Sequence, residues 1–250
     1  MDDTQTPVRV LSVPQAEPAH FARNFIKQAV CEFRFPTLFE LEGQRPPASF
    51  ANALRKFYPI YEVANAVNLS AGGVARSNAH VFKEKRARWT VTLRAAAITL
   101  ETSHYDAFSE FEERLTFILS AAEKVIDSEF FTRVGLRYIN SVPCAIDDIG
   151  DWVNPNLVGL LQSGVYGDVD EYSHRVVGNT ATGGYLFQHG LGIDSQTQNT
   201  EYVLDFDFFG EDVPLSETIG VVRSLHAEEF AMFSWALGPR SKEYLGPSTT

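Results

Sequence analysis

The first clear rhythm along the chain has a period of two. In QAVCEFRFP, Ala29, Cys31, Phe33 and Phe35 alternate with Val30, Glu32 and Arg34, the pattern of a strand with one buried face, and Pro36 ends it. The rhythm then lengthens, and Phe50, Leu54 and Phe57 predict a short amphipathic helix over 47–58. VARSNAHVFKE and RWTVTLRAAAITLETS read as two to three antiparallel strands joined by tight turns. DAFSEFEERLTFILSAAEKVID then places Phe108, Phe111, Leu115, Ile118, Leu119, Ala122 and Val125 at helical spacing, with Ser103 or Asp106 available as a cap.

The same order of rhythms returns. TRVGLRYINSVP is a strand ended by Pro143, a short helix is expected at 154–162 behind Asn154 and Pro155, and three strands follow in EYSHRVVGNTA, GGYLFQHGLGI and TEYVLDFDFFG. A long helix, PLSETIGVVRSLHAEEFAMFSWAL, closes the series. The expected class is α+β: two tandem β-α-β-β-(β)-α units over 25–128 and 129–237, forming one antiparallel sheet or two, with the long helices on one face. Parallel βαβ architecture is disfavoured because the connections are too short for crossovers. Residues 1–24, with Pro7, Pro14 and Pro18, read as an arm, and 238–250 as an irregular tail.

WTVTLRAAAITLETSHYDAFSEFEERL, RVGLRYINSVP and YVLDFDFF together resemble a sporadically distributed bacterial family of proteins of about this length. That family has an early AVCEFRF-like strand, a Trp-led strand running into a Tyr..Phe..Phe helix, and an RiGLRYIN strand. Trp89, Tyr105, Phe108, Phe111, Gly135, Leu136, Arg137, Tyr138 and Asn140 stand at the family positions, and the match spans roughly residues 25–237. The resemblance implies lateral transfer with mobile or defence-linked cassettes, and it brings no activity and no catalytic residue to carry over.

Composition narrows the function class. The 250 residues carry a formal charge of −11, which argues against a general affinity for phosphate backbones. The densest basic run, Lys83-Glu84-Lys85-Arg86-Ala87-Arg88, falls between two strands and reads as a solvated hairpin turn rather than a nucleic-acid contact. Cys31 and Cys144 match no metal or CxxC spacing, no apolar run approaches membrane length, and the start MDDTQTPVRV has no signal-like region; a reducing cytoplasm is the expected compartment.

Candidate chemistry collects on the polar sides of the strands. In RVGLRYIN, Val134, Leu136 and Tyr138 point one way and Arg133, Arg137 and Ile139 the other, with Gly135 permitting close approach and Asn140 closing the motif. Glu32, Arg34, Arg94, Asp205 and Asp207 fall on the corresponding polar faces of their strands. These eight residues, Glu32, Arg34, Arg94, Arg133, Arg137, Asn140, Asp205 and Asp207, are the predicted binding set. At any one position, ion pairing that keeps a sheet face wet outweighs ligand binding. Together they suit a protein, a peptide or a small anion, because arginine supplies the cations.

Competing chemistries are weaker. Asp205 and Asp207 form an Asp-x-Asp pair without a third ligand in the pattern, so pairing with arginine is favoured over Mg²⁺. His174 and His189 are expected across a hairpin, again without a third ligand, and His226 with Glu229 reads as a surface pair. SAGGVA and ATGGYLFQHGLG read as turns, and Phe230, Met232, Phe233 and Trp235 as core with some aromatic surface left over for a partner. The leading expectation is a non-enzymatic cytoplasmic protein- or peptide-binding module, within a defence, toxin-antidote or peptide-maturation cassette, needing no cofactor. It would use the charged sheet face or the groove between the halves. The alternatives are a metal-dependent enzyme built on Asp205 and Asp207, and a self-associating protein such as a homodimer.

Overall fold

A computed structural model describes residues 9–70, 73–194 and 198–249. Residues 1–8 of the predicted arm and the tip of the SAGGVA turn lie outside these. In chain order the elements are β1 (His20–Phe21), β2 (Ile26–Arg34), α1 (Ala48–Leu54), β3 (Ile60–Ser70), β4 (Gly73–Lys83), β5 (Trp89–Arg94), β6 (Ala97–Thr102), α2 (Phe108–Ile126) and β7 (Phe130–Pro143). They continue with α3 (Ile149–Trp152), α4 (Pro155–Gln162), β8 (Tyr172–Asn179), β9 (Gly184–Ile193), β10 (Thr200–Pro214), α5 (Thr218–Ala236), α6 (Pro239–Leu245) and β11 (Ser248–Thr249). The class is α+β, and the nine long strands share one antiparallel sheet. No helix among the described residues is long and apolar enough to cross a membrane.

The chain divides into two compact units. Unit I comprises Ile26–Tyr138 and Gly210–Arg223; unit II comprises Met1–Phe25, Ile139–Phe209 and Ser224–Thr250.

In unit I the strands run β3-β4-β5-β6-β2 in hydrogen-bonded order. Alternation is obeyed closely in β2, where Ala29, Cys31 and Phe33 are fully buried and Glu32 and Arg34 are not. Helix α2 places Phe111, Leu115, Ile118, Ala122 and Ile126 on its buried side, with the Phe111 ring 5.7 Å from Trp89 of β5. Phe50 of α1 meets Phe82 of β4 edge to face at 5.6 Å. Neither Ser103 nor Asp106 caps α2. Its N-cap is Ala107, which has no capping side chain, and the Ser103 hydroxyl lies instead 3.0 Å from His104 Nδ1.

Strand β3 has no counterpart in the sequence expectation. IYEVANAVNLS interleaves alanine and asparagine with its few apolar residues, and β3 is the outermost strand, so no strong alternation is demanded of it.

In unit II the order is β10-β9-β8. Phe187 and Phe206 stack at 4.7 Å across the β9–β10 pair, and Phe233 of α5 meets Phe206 edge to face. As expected, α4 opens at Pro155, with the Asn154 side chain accepting from the Asn156 N–H at 3.0 Å. The tail is not irregular: Pro239 starts α6, and β11 pairs with β1. Phe21 stacks on Phe230 at 6.0 Å, so the chain's own arm covers part of the surplus aromatic surface of α5. A second clasp gathers Phe25, Trp152 and Tyr244; Arg240 lies 4.9 Å over Trp152 and 2.5 Å from Asp148, whose Oδ2 also accepts from Trp152 Nε1.

Candidate functional site: a cationic cleft beside Trp89

The predicted sheet-face residues are placed as follows. In unit I, Glu32 Oε1 is 2.6 Å from Arg34 Nε and 3.6 Å from Arg133 Nη1, so one carboxylate serves two arginines. Gly135 makes this geometry available, because any Cβ there would occupy the space of the Arg133 guanidinium. Arg94, at the β5–β6 turn, reaches Thr99 Oγ1 at 3.4 Å, and Arg137 is exposed. The polar side of β5 is less open than its letters imply, since Thr92 is buried.

In unit II, Asn140 does not belong to the polar face. It is 2% exposed, on the same side of β7 as Val142, and donates to the Leu204 carbonyl at 3.3 Å. Asp205 and Asp207 are half-buried, opposite Gln188 and Leu186 of β9. Among the described residues no three His, Cys, Asp or Glu side chains gather as a metal site.

His174 and His189 do face each other across β8 and β9, with rings 5.4 Å apart. His189 is buried, its Nδ1 2.7 Å from the Tyr202 hydroxyl; burial, and then the charge of His174, push its pKa down to about 4. The expected surface pair of His226 and Glu229 fails on Glu229, which is 1% exposed.

Unit I also contains a cleft that the sequence does not announce. It has a volume of about 560 Å³ and lies between the β4–β5 hairpin, the turn after α1 and the first turns of α2. Trp89, Phe57 and Pro59 supply apolar lining; Lys56, Lys85, Arg86, Arg88 and Arg114 supply five cations, against Glu84, Asp106 and Glu110. His104 stands at the same opening.

Local chemistry builds the walls. The hairpin turns through Ala87, held at φ 51, with its N–H donating to the Glu84 carbonyl at 2.8 Å. Thr102 Oγ1 donates to the Arg88 carbonyl at 2.9 Å and accepts from the His104 N–H at 3.0 Å, tying the hairpin to the segment leading into α2. Arg114 packs its guanidinium 4.2 Å over the Trp89 ring, donates to Glu110 Oε1 at 2.8 and 3.1 Å, and reaches the Tyr58 hydroxyl at 3.4 Å. Burial raises the Tyr58 pKa, so its hydroxyl stays neutral.

The remaining cations of the cleft are differently disposed. Arg34, Lys83, Arg114, Arg133, Arg223 and Arg240 all sit in ion pairs, whereas Lys56, Lys85, Arg86 and Arg88 make none among the described residues. Four unneutralised cations around one opening, in a chain of charge −11, form a local field opposite to that of the whole molecule. Sequence reading located the hairpin and its charge. It missed Lys56, in the turn after α1, and Arg114, in α2, which lie outside the hairpin in sequence, and so missed the concavity. No family model matches the chain, and no curated protein matches it.

Proposed function

We propose that the chain is a non-enzymatic binding module whose unit I cleft receives an acidic segment of a protein or peptide partner. The observation that carries this reading is the set of unpaired cations, Lys56, Lys85, Arg86 and Arg88, around a cleft with Trp89 as its apolar wall. Arginine forks suit carboxylates, and the hydrogen-bonded Arg114–Glu110 pair over Trp89 supplies a base beside which the unpaired cations stand. The sheet face is a poorer receptor, because Glu32 already occupies Arg34 and Arg133.

The same reading takes the chain as two related halves with their long helices on one side. Strand, short helix, strands and long helix recur as β2 to α2 and β7 to α5, and that recurrence supports it. Cys31 and Cys144 are not joined in a disulfide, which suits work in a reducing cytoplasm.

Fluorescence anisotropy of a labelled peptide of consecutive glutamates tests the proposal, with a lysine peptide and a serine-glycine peptide as controls. The glutamate peptide should bind best, weaken as salt rises, and lose about tenfold or more in affinity to the Lys85→Glu/Arg88→Glu variant. Equal binding of all three peptides, or indifference to the charge reversal, would sink the reading.

A further inference from the structure

Strand β8 is the outermost strand beside β9, and residues 173–177 are exposed in succession, Val177 to 60% and Val176 to 40%. Edges of this kind pair with other strands unless lysine, proline or a bulge blocks them, and β8 contains neither lysine nor proline. Among the described residues its far end alone is occupied: Val10 forms a parallel bridge to Asn179, and the Leu11 N–H donates to the Asn179 carbonyl at 2.7 Å.

That bridge also orients the strand. The Asn179 carbonyl faces outward, and peptide groups alternate sides along a strand, so those of Ser173, Arg175 and Val177 face outward as well. An added antiparallel strand must therefore place its own outward-facing residues opposite these. A second copy of β8 does so in any two-fold register centred on a residue. Centring on Ser173 sets Arg175 opposite Glu171 twice, His174 opposite Tyr172 twice, and Val177 opposite Val169 twice. Neither Arg175 nor Glu171 makes an ion pair within its own chain among the described residues. Tyr166, 54% exposed and close enough to Tyr172 to raise its pKa after burial has done so, adds apolar surface near the axis.

We propose that two copies of this chain join edge to edge through β8, antiparallel about a two-fold axis at Ser173, with Arg175 of each copy opposite Glu171 of the other. The Val10–Leu11 segment marks where the added strand must stop. The pairing uses no residue of the cleft and stands independently of what the cleft binds.

Sedimentation velocity of the full chain over about a hundredfold range of concentration reads the association. The wild type should form a dimer, Arg175→Glu should raise its dissociation constant about tenfold or more, and Arg175→Glu/Glu171→Arg should return it to within about threefold of wild type. A monomer at every concentration would overturn the proposal and leave the edge to a foreign strand. So would a dimer indifferent to Arg175→Glu, or one that the charge swap fails to restore. Circular dichroism melts of each variant separate lost pairing from lost folding.

Discussion

Acid should weaken this protein well before its carboxylates titrate, and His189 is the reason. Its side chain is 6% exposed, and its pKa is pushed from 6.5 to about 4, first by burial and then by His174. A depressed folded pKa means the unfolded chain takes up the proton first. The stability contributed by neutral His189 is therefore present above pH 6.5 and is lost as pH falls toward 4. The proton linkage gives a loss of ~2 kcal/mol between pH 7 and pH 5, and ~3 kcal/mol by pH 4. His80 acts in the same sense: it is buried, its pKa is lowered by burial, its Nε2–H donates to the Leu41 carbonyl, and its Nδ1 accepts from the Tyr61 hydroxyl. The informative comparison is therefore with His189→Asn, whose amide oxygen can stand near the position of Nδ1 and does not titrate. Urea unfolding at pH 7 and pH 5 should show the variant losing ~2 kcal/mol less than wild type over that interval. Equal losses for the two proteins would refute the argument, as would an NMR titration that finds the His189 ring protonated at pH 6.

Two further expectations concern packing in unit II. Gly190→Ala directs a methyl into the backbone of Tyr172 and Ser173 on β8, which cannot move aside as a side-chain tip could, and should cost ~1 to 3 kcal/mol in thermal or urea unfolding. Asp148→Ala removes the acceptor of Trp152 Nε1, Arg240 Nη1 and the Ala145 N–H together, and should destabilise by a similar ~1 to 3 kcal/mol, with a shift in tryptophan emission as the Trp152 indole loses its partner.

Periodicity made most of the architecture legible. Strand β2, the core side of α2 and the Asn154–Pro155 start of α4 are consequences of local spacing, and each lies where its letters put it. The misses fall where local spacing is silent or where a partner distant in sequence decides. Strand β3 is outermost and rich in small and polar residues, and α6 is too short to show a helical period between Gly238 and Gly246. Asn140 carries a polar side chain on the buried side of β7, and only the tertiary partner Leu204 explains it. The cleft was illegible for the same reason: Lys56, Arg88 and Arg114 share no local pattern, and the absence of ion pairs at Lys85, Arg86 and Arg88 among the described residues is a property of neighbours in space.

The two cysteines give this chain an unplanned use as its own clock. Cys31 lies in unit I with no exposed surface, and Cys144 lies in unit II, where burial pushes its thiol up to about 11. Both cysteines are buried, Cys31 completely and Cys144 to 8% residual exposure, so the rate at which each is alkylated by a maleimide reports how often the structure around it opens. One thiol per unit separates the readings. Equal rates would report a single cooperative opening, and unequal rates would reveal which half of the chain lets go first.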